Sequence, residues 1–296
     1  MASTVTGMFR AKPAALAGTM PAWVLPILAL ALHGGAATAQ GPAVKAEGRP
    51  PLACERGRSM GRIESVIERG EIRLASGEVV KLAGLRPPDE PAHAAAGAAL
   101  IESFKDNPVE VAATAAAPDR WGRLAAVVTA ATEAGPVDLA RALVAAGLAL
   151  VDAGEADRLC PPGLLEAEAR ARAWGLGLWR GERYKPVAAT DLERLKDLAG
   201  RFALVEGRIR SVGERRQRTY LNFGADWTTD LTVTIPKRTW RTMRDRGLTA
   251  ALLRGRRVRA RGIIEEWQGP AITIMSPEML EILDPVTLDS ESPRRP

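Results

Sequence analysis

The chain has 296 residues, of which 46% are hydrophobic, and a formal net charge of +6 at pH 7. With this composition the chain is not too polar to bury a substantial core. Its length suits two domains of ordinary size. Beyond the N-terminus, no apolar run approaches the roughly 20 residues of a membrane-spanning helix, which argues against a helical span in the mature protein.

The first 39 residues are organised like a secretory signal peptide. Arg10 and Lys12 precede an apolar run over 22–32, and residues 37–39 (Ala-Thr-Ala) form a small-residue cleavage motif before Gln40. The run is shorter than a membrane span, so we expect cleavage and export to a bacterial periplasm or out of the cell. A short amphipathic or buried N-terminal helix is the alternative.

Residues 40–54 are rich in Gly, Pro and Ala and are predicted to be a linker. After it, residues 70–89 predict a β-hairpin. Two short strands with period-two alternation flank a turn at Ser76-Gly77, and a loop bounded by Pro87 and Pro88 follows them.

Four segments, in this order, carry a family resemblance. Residues 68–89 match a hairpin with a proline loop, residues 119–123 (Asp-Arg-Trp-Gly-Arg) match an Asp-x-Tyr-Gly-Arg motif, and residues 137–149 match a Leu-Val-x-x-Gly-Leu-Ala helix. Residues 168–172, which lead to Gly-Leu-Trp at 177–179, match a last helix with a terminal Leu-Trp. Residues 60–182 therefore resemble the staphylococcal nuclease, or thermonuclease-like, family.

The resemblance implies a five-stranded oligonucleotide-binding (OB) barrel with three helices over residues 55–185, and calcium-dependent hydrolysis of DNA and RNA. Such chemistry needs a hard cation held by carboxylates, a carboxylate base, and cations on the phosphate. Aligned with the family motifs, Asp89 stands at the position of the base, and Lys81 and Arg123 stand at the positions of the two cations that contact the phosphate. The resemblance implies these roles. Ca²⁺ is the implied cofactor only if the site is active.

The metal site departs from the family pattern. Gly70 stands where the second turn aspartate belongs, and Arg86 stands where the loop aspartate belongs. An arginine about 4 Å from a cation costs several kcal/mol at an effective dielectric constant near 20. No metal ligand is therefore assigned, except that a one-residue gap would place Glu71 on the missing turn carboxylate.

Each of these residues also has a purely structural interpretation. Lys81 would be a solvent-facing strand residue, and Arg86 would pair with Asp89 or Glu90.

The turn at residues 119–123 allows two interpretations as well. Asp119 and Arg123 would be solvated or paired with each other across Gly122. Trp121, which replaces the family tyrosine, would either stack on a base or pack in the core.

Two cysteines, Cys54 and Cys160, follow the predicted cleavage site. An even pair in an oxidising compartment is a disulfide candidate, and two unpaired buried thiols are the alternative. The family fold implies the disulfide, because it brings the start of the barrel near its last helix.

A second boundary is predicted near residues 185–190, followed by an OB-like domain over 190–285 and a disordered tail over 286–296.

A short helix over 191–198 would be capped by Thr190 or Asp191. Strands are predicted over 202–211, 219–223, 231–235, 257–265 and 271–275, with a helix over 238–246. Three strands, a helix and two strands is the order of an OB barrel. Tyr-Leu-Asn-Phe-Gly at 220–224 also resembles, more loosely, small barrels beside nuclease-like domains of exported bacterial proteins.

The positive charge lies in this second half, which has 20 Lys and Arg against 15 Asp and Glu over residues 187–296. Arginines alternate with apolar residues along two strands, which predicts that they share one face. With a tryptophan nearby (Trp227, Trp240 or Trp267), such a face suits single-stranded DNA or RNA, and a solvated face with packed tryptophans is the alternative. The arginines are Arg208, Arg210, Arg257, Arg259 and Arg261.

The sequence therefore predicts a mainly β fold of the α+β class, with a thermonuclease-like OB barrel followed by a second small barrel. The predicted function is that of an exported protein that binds nucleic acid, with weak or absent calcium-dependent phosphodiester hydrolysis. The alternative is a non-catalytic envelope module that binds a protein or an anionic polymer.

Overall fold

The computed structural model describes residues 54–154, 159–226 and 228–284. The predicted signal peptide, the predicted tail and Trp227 lie outside these residues, as does the predicted linker except for Cys54. Within the described ranges, no helix is long and apolar enough to cross a membrane.

The first half of the described chain combines short strands with three α-helices. These elements are β1 (Gly57–Val66), β2 (Ile72–Leu74), β3 (Val79–Leu82), β4 (Leu85–Arg86), α1 (Pro91–Glu102), β5 (Pro108–Ala113), β6 (Arg123–Thr132), β7 (Gly135–Asp138), α2 (Leu139–Ala145), β8 (Leu150–Val151) and α3 (Leu164–Ala173).

Five of these strands form a closed barrel. Their order is β3-β2-β1-β5-β6, and the barrel closes because β3 also pairs with β6 in a parallel register. Strand β7 extends the sheet beyond β6, and β4 pairs with β8 outside the barrel. The predicted OB-like barrel with helices is present in this coarse form.

Period-two patterning explains the hairpin of β2 and β3. Ile72, Leu74, Val80 and Leu82 are at most 4% exposed, so one face of each strand fills the barrel. Lys81 alternates with these positions and therefore points away from the core. The predicted turn lies between the two strands, where Gly77 adopts a φ of +88°.

The second half of the described chain contains nine strands and three α-helices. These elements are β9 (Val187–Ala188), α4 (Leu192–Asp197), β10 (Phe202–Arg208), β11 (Ser211–Glu214), β12 (Arg218–Asn222), β13 (Thr232–Pro236), α5 (Lys237–Asp245), α6 (Ala250–Leu253), β14 (Arg257–Ile263), β15 (Glu265–Trp267), β16 (Gly269–Thr273) and β17 (Leu280–Ile282).

These strands form two sheets. One has the order β17-β14-β10-β9, and the other has the order β11-β12-β13-β16-β15. Among the described residues, the strand pairings do not close these sheets into a second barrel. The predicted strands and helices of this half all occur, with boundaries shifted by at most three residues. Helix α4 is capped by Asp191, which accepts a hydrogen bond from the Arg194 N–H.

Buried contacts join the two halves of the described chain. The Arg261 guanidinium of β14 donates to the carboxylate of Glu168 on α3, with Nη2 to Oε2 at 2.9 Å, and to the Val151 carbonyl at 3.0 Å. Both charged side chains are fully buried. The described residues accordingly belong to one compact unit, and the division into two domains near residue 185 stays a prediction.

The two cysteines form a disulfide between Cys54 and Cys160, with Cα atoms 6.4 Å apart. It ties the segment before β1 to the loop before α3. The expectation of a disulfide is confirmed, and a disulfide suits an oxidising compartment.

Candidate functional site

A cleft of about 660 Å³ lies beside the barrel, where the β2–β3 hairpin, the loop after β4 and the turn before β6 meet. It contains all the candidate residues that sequence reasoning placed in the first half. These residues are Glu71, Lys81, Arg86, Asp89, Trp121 and Arg123. Tertiary structure therefore gathers side chains from three separate segments around one space.

The parallel pairing of β3 and β6 positions the two predicted phosphate-binding cations. Arg123 lies opposite Val79, and Lys81 lies two residues further along β3, opposite Ala125. Residues two apart on a strand point to the same face. Lys81 and Arg123 are therefore diagonal neighbours on one face of the barrel, and both line the cleft.

The Arg123 guanidinium is held by two carboxylates. Its Nε and Nη2 donate to Asp119 Oδ2 at 2.9 and 2.7 Å, and its Nη1 donates to Glu71 Oε1 at 2.6 Å. These hydrogen bonds raise the pKa of Arg123, the Asp119 bond contributing most, and the Arg123 bonds lower the pKa of Asp119 to about 2. The arginine thus stays charged, and two of its five N–H donors have no partner among these contacts.

Trp121 lies at the rim of the cleft, and 63% of it is exposed. The guanidinium carbons of Arg120 and Arg123 lie 4.0 and 4.6 Å from the centroids of its ring system. An exposed indole in contact with two cations offers an aromatic surface next to positive charge. The alternative that Trp121 packs in the core is wrong.

Arg86 is also ion-paired, but with a residue that lies far away in sequence. Its Nε and Nη2 donate to Asp152 Oδ2 at 3.0 and 2.9 Å, and its guanidinium lies 5.0 Å from the ring centroid of Phe202. The expected pairing with Asp89 or Glu90 is therefore wrong. The sequence could not reveal this partner, because β4 meets β8 only through tertiary pairing.

Asp89, the candidate base, lines the cleft and takes part in two hydrogen bonds. Its Oδ2 accepts a hydrogen bond from Arg183 Nη2 at 3.0 Å, and its backbone N–H donates to the Tyr184 hydroxyl at 3.0 Å. Burial raises the pKa of Tyr184. The carboxylate of Asp89 is 58% exposed, so it faces solvent as one half of a surface ion pair.

The residues of this cleft do not fit a calcium site. Calcium in proteins takes six to eight oxygen ligands. Of the carboxylates in the cleft, Glu71 is bonded to Arg123 and Asp152 to Arg86. In the part of the chain that the structure describes, no three His, Cys, Asp or Glu side chains are grouped so that they could hold a metal ion.

In the second half, the predicted arginine face is exposed at only one end of β14. Arg257 is exposed, Arg259 is 11% exposed and bonded to Glu206 and Glu281, and Arg261 is fully buried. The expectation of three guanidinium groups on one solvent-facing surface is therefore wrong. Strand alternation placed them on one face, but α3 and β17 supply carboxylates that cover part of it.

The remaining residues of that prediction differ in exposure. Arg208 and Arg210 are exposed, so binding of nucleic acid there stays a prediction. Trp240 is fully buried, and its Nε1 donates to Glu214 Oε2 at 2.8 Å, so it cannot stack on a base. Trp267 is 55% exposed.

Sequence reasoning missed a basic turn next to Trp267. Residues 215–218 read Arg-Arg-Gln-Arg, from the turn after β11 to the first residue of β12, and they line a second groove together with Trp267. A cluster of arginines in a turn between two predicted strands was the available signal.

Comparison with models of protein families found no match to this chain, and a comparison with curated proteins found none either.

Proposed function

We propose that the protein is an exported, thermonuclease-like protein that binds single-stranded nucleic acid in the cleft and does not hydrolyse it through a calcium site of the family type. In this proposal the first barrel is the thermonuclease-like domain, and the second half is an OB-type barrel. The N-terminal 39 residues would direct export, with which the disulfide agrees.

One observation carries the proposal: Lys81 and Arg123 share a face of the cleft, next to the exposed indole of Trp121. Cations that contact phosphates and an aromatic ring that stacks on bases are the two elements of single-strand binding. Asp119 and Glu71 fix the Arg123 guanidinium in place, so little side-chain entropy would be lost when a phosphate binds.

The charge pattern supports binding over catalysis. Arg86 and Arg123 bring positive charge to the cleft where the family chemistry needs a cation held by carboxylates, and Asp89 is paired with Arg183. A ligand that carries its own negative charge suits this arrangement better than a metal ion does.

The test is fluorescence anisotropy of a labelled single-stranded oligonucleotide, with calcium and with chelator, together with a gel assay for cleavage. We expect binding in chelator, because the cleft supplies its own cations, and little or no cleavage in calcium. Lys81→Ala with Trp121→Ala should weaken binding about tenfold or more.

The matched control replaces an exposed lysine and an exposed tryptophan elsewhere, Lys105→Ala with Trp174→Ala. Equal binding by the cleft variant and this control would contradict the proposal. Equal affinity for a base-free polyanion such as polyphosphate would favour an envelope module that binds an anionic polymer.

A further inference from the structure

A second groove, of about 750 Å³, lies on the outer face of the sheet that contains β12, β13, β16 and β15. Its volume is in the range of small-molecule sites, about 300–1,000 Å³. One wall is the basic turn between β11 and β12, and the other wall is the β15–β16 hairpin.

The floor of the groove is a chain of hydrogen bonds that crosses four strands. Arg218 Nη1 donates to Thr234 Oγ1 at 3.3 Å, the hydroxyls of Thr234 and Thr273 lie 3.2 Å apart, and Thr273 Oγ1 donates to Glu265 Oε2 at 3.2 Å. This chain holds an arginine at one end and a carboxylate at the other. The floor is therefore polar, with positive charge at the Arg218 end and negative charge at the Glu265 end.

The basic wall offers cations to a ligand. Arg215, Arg216 and Arg218 line the groove, and the side chain of Arg216 has no ion partner among the described residues. The Arg215 side chain donates a hydrogen bond from Nη1 to the Glu214 carbonyl at 3.4 Å. Guanidinium groups with unused N–H donors bind phosphate in a bidentate fashion.

The opposite wall offers an aromatic ring and a carboxylate. Trp267 is 55% exposed, and it lies two residues from Glu265 on β15, so both side chains point to the same face. Tyr220 lies on the floor between the walls, opposite Thr234 in the neighbouring strand, and is partly exposed. An indole stacks on any base, whereas a carboxylate accepts hydrogen bonds only from bases that have donors on their edge.

We propose that this groove is a second binding site for single-stranded nucleic acid, in which Arg215 and Arg216 contact phosphates, a base stacks on Trp267, and Glu265 accepts from that base. Cytosine offers a carboxylate the two N–H groups of its exocyclic amine, whereas the single N3–H donor of thymine lies between two carbonyl oxygens that repel a carboxylate. The site therefore favours cytosine over thymine.

The inference shares its ligand class with the proposed function and rests on it in that respect. The two sites are separated by testing one variant of each in the full-length protein with labelled oligo(dC) and oligo(dT). The cleft variant is Lys81→Ala with Trp121→Ala. The groove variants are Arg215→Gln with Arg216→Gln, and Trp267→Ala.

For the groove variants we expect two effects. The double arginine variant should lower the slope of log affinity against log salt by about 1.4, because each phosphate contact on a single strand contributes about 0.7. Trp267→Ala should weaken oligo(dC) binding about tenfold, and Trp267→Phe should restore much of it because a stacking ring is kept. Arg241→Gln with Arg244→Gln, two exposed arginines of α5 outside the groove, is the charge-matched control.

Base preference tests the role of the carboxylate. The wild-type protein should bind oligo(dC) several-fold more tightly than oligo(dT), and Glu265→Gln should reduce that ratio because an amide also donates.

Groove variants that bind like the wild type while the cleft variant is weakened would overturn this inference and leave the proposed function in place. Loss of binding in the groove variants alone would support the inference and contradict the proposal that the cleft binds nucleic acid. No binding by the wild type, or equal competition by base-free polyphosphate, would overturn the groove as a nucleic-acid site.

Discussion

Arg261 and Glu168, 93 residues apart in sequence, form a fully buried ion pair with Nη2 and Oε2 2.9 Å apart. The same Nη2 donates to Glu281 Oε1 at 2.6 Å, and Glu168 Oε1 accepts from the Val151 N–H at 2.8 Å. Burial alone would lower the pKa of Arg261, but the two carboxylates outweigh it and raise that pKa. The pair is therefore charged in the folded protein and connects α3 with β14.

Replacing one member of this pair should be strongly destabilising. Arg261→Met leaves the Glu168 carboxylate buried, with Arg172 at 3.4 Å as its remaining cation. We expect the free energy of unfolding in urea to fall by about 3–5 kcal/mol. Arg257→Met removes an exposed ion pair from the same strand and should cost about 1 kcal/mol or less. Equal losses in the two variants would show that the buried pair contributes no more than a surface one.

The Asp119–Arg123 pair should make stability depend on pH in acid. The pKa of Asp119 is about 2 in the folded state against 3.8 ordinarily, so the native state binds this proton more weakly than the unfolded chain does. The stabilisation is present above about pH 4 and is lost as the pH falls through about 2. The Tm difference between the wild type and Asp119→Asn should therefore be largest near neutral pH and shrink below about pH 4.

The control for this measurement is Asp106→Asn, which changes an exposed aspartate without an ion pair in the described part of the chain. Its Tm difference from the wild type should stay small throughout. A Tm difference for Asp119→Asn that grows as the pH falls would refute the assignment of the pair.

The disulfide should contribute measurably to stability. Cys54 and Cys160 are 106 residues apart, and a loop near 100 residues gives an entropic stabilisation of about 4.7 kcal/mol as an upper value. Thiol titration of the denatured, unreduced protein should find no free thiol. Cys54→Ser with Cys160→Ser should lower the free energy of unfolding by up to this amount, and no change in the variant would contradict the entropic account.

Carboxylates introduced at residues 70 and 86 should create calcium affinity. Gly70 has open space around its Cβ position, but its φ of +73° strains any residue with a side chain; aspartate tolerates this region better than most residues do. Gly70→Asp with Arg86→Asp would add two carboxylates next to Glu71 and release Asp152 from its ion pair. We expect calcium binding by titration calorimetry, and increased cleavage of single-stranded DNA, in the variant only.

The matched control is Gly70→Asn with Arg86→Asn, which has the same shape without the added negative charge. Calcium binding by this control at the same affinity would show that the removal of Arg86, and not the charge of the new ligands, creates the calcium affinity. Wild-type hydrolysis as fast as that of an enzyme with the full carboxylate set would show that the metal-site interpretation is wrong.

Several elements could be predicted from local sequence because their causes are local. The hairpin around Ser76-Gly77 follows from period-two alternation and a glycine that accepts positive φ, and helix α5 differs from the predicted span 238–246 by one residue at each end. The Asp119–Arg123 pair was one of the two structural alternatives for this turn, because both residues belong to it. The cleft residues could be predicted because the order of motifs along the chain resembles that of a family with an OB barrel, and an OB-like barrel is present.

Only tertiary structure decided which charges are exposed and which partners they have. Strand alternation places Arg257, Arg259 and Arg261 on one face, since side chains alternate with a period of two whatever surrounds the strand. Whether that face meets water depends on distant segments: Glu168 of α3 and Glu281 of β17 bury one end of it. Coverage and charge pairing result from contacts between residues far apart in sequence, which no local pattern encodes.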